Sequence, residues 1–257
     1  MESDPTKKSE NNDFGSQWDI LAQESITPQV GELKTKASAG TLIEEYGDRV
    51  IYTDENGAET RMTLNPWAMA QNVLKSPEDM LLTGQVFEHM AKKWGDNDRN
   101  PSRKVMEREN GQIEEIGWDE AIRPSGDSIL GRWIKQNLEP DMDGNKMEQV
   151  ASAVTLIENY GDRIIYTDGG GKETRMTLNP WAMMEDALDN PDTMSLVGTA
   201  FRHMANKWHN DEKNPSRRVE VNSNGERIET GWENAIRVDD SKKIGRYINE
   251  KLKQSEN

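Results

Sequence analysis

The spacing of apolar and polar residues predicts strands and helices in alternation. The segments Arg49–Thr53 and Glu59–Leu64 contain β-branched and aromatic residues on either side of an Asp-Glu-Asn-Gly turn. This pattern is typical of a β-hairpin. Asn65-Pro66 follows, and it predicts a helix start, because Asn caps free backbone amides and proline has the φ angle that the first helical position needs. The hairpin is therefore expected to lead directly into a helix that runs to residue 75.

A longer helix is predicted from residue 77 to residue 94. Its apolar residues recur at spacings of three and four, as on one face of an α-helix. These residues are Met80, Leu81, Gly84, Phe87, Met90, Ala91 and Trp94. A second hairpin, Arg103–Arg108 and Gln112–Ile116 around an Asn-Gly turn, comes next, and a last helix is expected over Asp127–Leu138. The predicted fold class is therefore α+β, with two short β-hairpins alternating with helices.

This whole pattern occurs twice along the chain. Residues 37–138 align with residues 151–252 at a constant offset of 114, without insertion or deletion, and about 55 of the 102 paired positions are identical. Glu59–Met69 recurs unchanged as Glu173–Met183. Because segments this similar are expected to share a fold, the sequence predicts a tandem duplication of a ~102-residue domain. We call residues 37–138 the first repeat and residues 151–252 the second repeat.

The rest of the chain is short and polar. Residues 1–36 form a leader, 139–150 a linker and 253–257 a tail. Most of the leader is expected to be disordered, because it has few apolar residues to bury. The exception is a predicted short helix over 16–23, in which Trp18 and Leu21 share one face. Two interpretations remain open: this helix packs on the first repeat, or it docks into a groove of a partner.

Composition narrows the class of protein. The chain has no cysteine, which excludes disulfides and thiolate metal sites. Neither a long apolar stretch nor an apolar leader is present, so we expect a soluble, cytoplasmic protein without membrane contact. No recognised phosphate-binding, nucleotide-binding, hydrolase or metal-binding motif occurs. The sequence therefore predicts neither a cofactor nor a metal.

The net charge of −15 is spread along the whole chain. This balance argues against broad binding of nucleic-acid phosphates, which needs dense lysine and arginine. It is compatible with a basic protein partner, or with mimicry of the charge of DNA. A simpler interpretation is that the acidity maintains solubility.

Several residues recur in both repeats and are candidates for binding. Trp118 and Trp232 follow a glycine in a turn, so we expect them to be more exposed than the other recurrent tryptophans. Recurrent arginines suit bidentate contacts with carboxylate or phosphate, although pairing with nearby acids is the simpler role. The candidate binding residues are Trp118, Trp232, Arg61, Arg175, Arg103, Arg217, Trp18 and Leu21.

Three functional hypotheses follow. The favoured one is a non-enzymatic, acidic protein-binding protein with two similar domains, in one version an inhibitor that offers acidic surface to a basic nucleic-acid-binding enzyme. The second is a nucleic-acid-binding module that uses the recurrent arginine and tryptophan. The third is an enzyme built on His89 and His203 or on Ser102 and Ser216, although a hydrogen-bonded structural histidine is the simpler interpretation.

Overall fold

The computed structural model describes residues 45–96, 102–138, 159–211 and 213–255. The predicted leader helix over 16–23, with Trp18 and Leu21, and the linker 139–150 lie outside these ranges. In the first repeat the elements are β1 (Asp48–Thr53), β2 (Glu59–Leu64), α1 (Pro66–Ala70), α2 (Pro77–Gly95), β3 (Val105–Glu107), β4 (Ile113–Glu115) and α3 (Ile129–Leu138). In the second they are β5 (Asp162–Thr167), β6 (Glu173–Leu178), α4 (Pro180–Met183), α5 (Pro191–His209), β7 (Val219–Val221), β8 (Arg227–Glu229), a 3₁₀ turn (Trp232–Asn234), β9 (Ile236–Asp239) and α6 (Lys243–Ser255).

The molecule is a mixed α+β fold of helices and small antiparallel sheets, as the sequence predicts. β1 pairs with β2, β3 with β4, β5 with β6 and β7 with β8, all antiparallel. The Asn65 side chain accepts a hydrogen bond from the Ala68 amide and caps α1, with Pro66 at the first helical position. α1 ends at Ala70, five residues earlier than predicted, and turns closed by bonds such as Gln71 N–H to Ala68 carbonyl continue the chain.

The second repeat contains a strand that the hydrophobic pattern does not reveal. β9 pairs in parallel with β5, with Ile164 opposite Ile236, and extends that sheet to three strands. At the matching place of the first repeat, Val50 and Ile122 form a single parallel bridge. A parallel pair joins residues far apart in the chain, so local alternation of residue types carries little information about it.

The core forms where α2 and α5 cover the hairpins and each other. Val50 and Tyr52 point from β1 into this core and are at most 5% exposed. The predicted apolar stripe of α2 is incomplete, because Leu82, Thr83 and Val86 are also buried. The helix is covered on two sides, by its own hairpin and by α5, so a single stripe underestimates what it buries. Buried residues of both repeats belong to one continuous hydrophobic cluster.

Gly84 of α2 and Gly198 of α5 bring the two helices into close contact. A Cβ atom added to Gly84 would lie 2.6 Å from the Gly198 carbonyl oxygen. A Cβ atom added to Gly198 would lie 2.7 Å from the Gly84 carbonyl oxygen. Any larger residue would therefore force the helix backbones apart.

Further contacts between the repeats are reciprocal. The Trp67 indole donates a hydrogen bond to the Met184 carbonyl at 3.2 Å, and the Trp181 indole donates to the Ala70 carbonyl at 3.1 Å. Each bond is the other one shifted by the offset of 114. Phe87 and Phe201 stack near the crossing, with ring centroids 6.0 Å apart and planes 7° from parallel. The repeats therefore pack as equivalent partners on either side of the helix pair.

We predict that Gly84→Ala and Gly198→Ala each lower the free energy of unfolding by about 1–3 kcal/mol or more, because overpacking moves backbone rather than a flexible side chain. Urea denaturation followed by circular dichroism measures this change. Gly95→Ala is the matched control, since it lies on α2 with no atom within 4 Å of the added methyl group. The control is expected to be neutral or slightly stabilising. Equal stability of all three variants would contradict the close crossing.

Candidate functional site

A tryptophan lies on the outer face of the first hairpin in each repeat. Gly117 has a φ of +84°, which glycine adopts without strain, and Trp118 follows it. The Arg49 guanidinium lies 4.6 Å from the centre of the Trp118 ring, and that of Arg61 lies 5.4 Å away. In the second repeat, Arg163 and Arg175 lie 4.5 and 5.5 Å from Trp232. We call each set of one tryptophan and two arginines an Arg–Trp cluster.

The inner arginine of each cluster has a structural role. Arg49 is 3% exposed. It donates from Nε to the Ile116 carbonyl at 3.0 Å, from Nη2 to the Lys104 carbonyl at 2.8 Å, and from Nη1 to the Thr63 hydroxyl. These bonds tie β1 to the chain on both sides of the second hairpin. Arg163 makes the same set of bonds in the second repeat.

The outer arginine of each cluster faces solvent. Arg61 and Arg175 are exposed, and among the residues the structure describes neither forms a side-chain hydrogen bond or ion pair. In the second repeat an open pocket of about 430 Å³ lies here, lined by Arg163, Arg175, Met176, Thr177, Glu229 and Trp232. The structure thus brings together the predicted binding residues Trp118 with Arg61 and Trp232 with Arg175. Both tryptophans are half-buried.

The other predicted arginines make separate contacts. Arg103 forms an ion pair with Glu45 at 3.3 Å. Arg217 donates to the Val219 carbonyl at 3.1 Å. These contacts match the simpler interpretation of the recurrent arginines, in which each is satisfied locally.

A buried aspartate with cationic partners occurs under each hairpin. Asp48 accepts hydrogen bonds from His89 Nδ1 at 2.8 Å and Lys93 Nζ at 3.0 Å. Burial alone would raise the pKa of Asp48, but the hydrogen bonds and charges of His89 and Lys93 outweigh it and hold the pKa below its ordinary value. His89 and Lys93 are four residues apart on α2, so they lie on one helix face.

The second repeat surrounds its aspartate more completely. Asp162 contacts His203 and Lys207 at 2.7 Å each and Arg218 at 3.4 Å. Burial would raise the pKa of Asp162, yet His203 and Lys207 lower it strongly. The His203 side chain is 8% exposed, whereas that of His89 is 40% exposed. The sequence shows the recurrent His and Lys but gives no signal that an aspartate 41 residues earlier is their partner.

The histidine–aspartate pairs do not extend to the recurrent serines. Ser102 and Ser216 are fully buried, and their hydroxyls donate to the Met90 and Met204 carbonyls at 3.2 and 3.0 Å. A serine nucleophile needs a hydrogen bond to its base and access to substrate. These serines instead fix the chain after the long helix.

The second hairpin of each repeat exposes apolar residues on both faces. Met106 is 48% and Ile113 is 72% exposed in the first repeat, and Val221 is 61% and Ile228 is 47% exposed in the second. Sequence reasoning did not select these residues. Apolar residues that alternate with acidic residues are an ordinary strand pattern. This pattern does not reveal whether another element covers the hairpin.

Apolar residues occupy the same faces of the two hairpins from opposite strands. Met106 pairs with Glu114 in the first repeat, and Glu220 pairs with Ile228 at the matching positions. On the other face Glu107 pairs with Ile113, and Val221 pairs with Arg227. Directly paired residues of an antiparallel sheet share a face. Each of these two pairs therefore keeps one apolar and one charged residue although the strands have exchanged them.

The surroundings of the first-repeat hairpin are strongly acidic. Glu107, Glu109, Asp119 and Glu120 are exposed. Within the described part of the chain none of these four takes part in an ion pair. The hairpin that exposes Met106 and Ile113 thus has several acidic neighbours in the chain, of which Glu120 interacts electrostatically with Lys104.

Among the described residues no helix has the length and apolarity to cross a membrane. The same residues contain no group of three or more His, Cys, Asp or Glu side chains placed to share a metal ion. Comparisons with known protein families, curated proteins and solved structures found no match. The function must therefore be argued from the site itself.

We predict that Asp162→Asn lowers the free energy of unfolding at pH 7 by about 3–5 kcal/mol, because it leaves His203, Lys207 and Arg218 without their carboxylate. Asp48→Asn is the matched variant and is expected to cost less, because His89 reaches water and its pair is less desolvated. Urea titrations of both variants measure the difference. An equal or larger loss for Asp48→Asn would contradict this ranking.

The same carboxylate makes stability depend on pH. The pKa of folded Asp162 lies below the unfolded value of about 3.9. The carboxylate therefore contributes stability above about pH 4, and this is lost as pH falls through the folded pKa. The stability difference between wild type and Asp162→Asn should shrink as pH falls from about 4 toward the folded pKa. Urea titrations below about pH 5 test it, and a difference that grows as pH falls through this range would show the opposite sign of linkage.

Proposed function

We propose that this chain is a non-enzymatic, acidic protein-binding protein, and that the hairpins β3–β4 and β7–β8 contact its partner. The observation that carries the proposal is the exposed apolar residue on each face of each hairpin. Exposed apolar side chains within a polar surround are a feature of protein interaction sites. Both faces keep this composition in both repeats despite the exchange between strands.

The charge around the first hairpin favours a basic partner. Glu107, Glu109, Asp119 and Glu120 would meet lysine and arginine of the partner, and such complementarity increases the rate and specificity of association. In the more specific version, the partner is an enzyme that handles nucleic acid, and the acidic surface competes for its phosphate-binding track. The overall charge of −15 likewise favours attraction of a basic partner.

We further propose that the chain is a tandem duplication and that both repeats bind. The matching elements and the reciprocal contacts across the helix pair support this. Two similar sites on one chain would raise the effective concentration at the second site once the first is occupied. A partner with two copies of the complementary surface would gain most.

The Arg–Trp clusters offer a second contact for the same partner. Arg61 and Arg175 have free donor capacity, and tryptophan and arginine are frequent in interface hot spots. A nucleic-acid-binding module is less well supported, because Arg49 and Arg163 are buried and Arg123 and Arg237 pair with Glu59 and Glu173. The net charge of −15 also argues against broad binding of phosphates.

The proposal is tested by capture of a partner with the tagged full-length chain from nuclease-treated host lysate. Retained proteins are eluted with increasing salt and identified by mass spectrometry. We expect a stoichiometric, basic protein that is retained after nuclease and released by salt. Loss of all retained protein after nuclease treatment would favour the nucleic-acid alternative. Retention that salt does not weaken would contradict the role of the acidic surface.

We predict that Met106→Ser combined with Ile113→Ser weakens binding of the purified partner at least tenfold, as expected when central apolar contacts are removed. Ile129→Ser is the matched control, because Ile129 is 42% exposed but lies on α3. Calorimetric titration measures affinity, and circular dichroism confirms that the variants are folded. Equal weakening by the control variant would exclude the hairpin as the contact.

A further inference from the structure

Some contacts between α2 and α5 have no reciprocal counterpart, among them the largely exposed contact of His209 with Glu78 at 3.7 Å and a less exposed ion pair between Glu88 and Arg202. Position 88 is glutamate in the first repeat, and its counterpart, position 202, is arginine. Arg202 Nη1 lies 2.5 Å from Glu88 Oε2, and the side chains of Arg202 and Glu88 are 29% and 25% exposed. Thr199 adds a hydrogen bond to Glu88 Oε1 at 3.2 Å. Both bonds that Glu88 accepts therefore come from the other repeat.

This pair lies directly at the glycine crossing. A Cβ on Gly84 would be 2.6 Å from Cγ of Arg202, and a Cβ on Gly198 would be 2.7 Å from Cγ of Glu88. Each charged side chain thus runs over the glycine of the opposite helix. The close approach made by the two glycines fixes where both charges lie.

We infer that Glu88 and Arg202 make each long helix select its unlike counterpart, so that the repeats pair with each other and not with the same repeat of a second chain. Because the glycine crossing, the indole hydrogen bonds and the phenylalanine stack are reciprocal, two first repeats would have the same apolar residues with which to pair. Such a pair would place Glu88 against a second Glu88, and two second repeats would place Arg202 against Arg202. Juxtaposed like charges disfavour both alternatives.

Pairing between the repeats requires no partner protein, so this selectivity is independent of the proposed function. The selectivity comes from a partly buried charge pair. The surrounding apolar surface of each long helix could otherwise pair with the same surface of a second chain. Interfaces of this kind use repulsion against wrong partners as well as attraction to the right one. The unlike pair would therefore keep the chain monomeric.

The test uses the full chain with Glu88→Arg, Arg202→Glu and the double exchange. Each single variant should lower the melting temperature by roughly 5–10 °C, and the double exchange should restore it to within about 2 °C of wild type. Glu59→Arg is the matched control, because its pair with Arg123 lies within the first repeat and is largely exposed. The control should change the melting temperature by less than about 2 °C.

A mixing experiment reports on partner choice directly. The Glu88→Arg chain has arginine at both positions, and the Arg202→Glu chain has glutamate at both. Each should remain monomeric alone by light scattering, whereas an equimolar mixture, warmed and cooled, should form a dimer of about twice 29.2 kDa. Unchanged melting temperatures for the single variants would overturn the inference, as would dimers of either variant alone or a mixture that stays monomeric.

Discussion

The contact between Gly84 and Gly198 is the constraint on which the rest of the structure depends. A Cβ atom added to either glycine would lie 2.6–2.7 Å from the carbonyl oxygen of the other, so the backbones of the two long helices are in direct contact. This approach places Phe87 against Phe201 and lets the buried residues of both repeats form one cluster. A shared core removes more apolar surface from water than two separate small cores, and this favours association of the repeats.

Charged groups are buried beside that core only where their partners are complete. Asp48 and Asp162 are each 1% exposed and are compensated by histidine and lysine, with Arg218 added in the second repeat. An isolated carboxylate in this position would be costly, but a paired one links α2 or α5 to its hairpin. Hydrogen-bonded Asp–His pairs also occur in catalytic sites. In this protein their hydrogen bonds attach the long helix to the hairpin. The recurrent serines are bound to helix carbonyls.

The proposed binding surface lies where the core ends. β3–β4 and β7–β8 are two-stranded sheets whose outer residues have few neighbours, so their apolar side chains remain in water. Exchange of apolar and charged residues between paired strands leaves one apolar residue in each pair, although the charged residue changes from Glu107 to Arg227 in one of them. Core packing constrains the residue at each individual position. In these hairpins the apolar residue of a pair lies on either strand, and only its presence at the surface is shared by the two repeats. For this reason the hairpins are proposed as the binding surface, although the Arg–Trp clusters are more alike in the two repeats.

The sequence by itself determined the α+β class, both kinds of hairpin, the start of α1, α2, α4 and α5 at an Asn-Pro or Ser-Pro pair, and the repeat of the pattern. These features depend on residues close together in the chain, where turn chemistry, capping and periodicity act. Tertiary structure alone decided that Asp48 meets His89, that Arg49 lies against Trp118, and that β9 joins β5 in parallel. It also decided that Gly84 faces Gly198, although the sequence places Gly84 on the apolar stripe. Such contacts join residues many positions apart, and the energy of each depends on burial that exists only after the chain has folded.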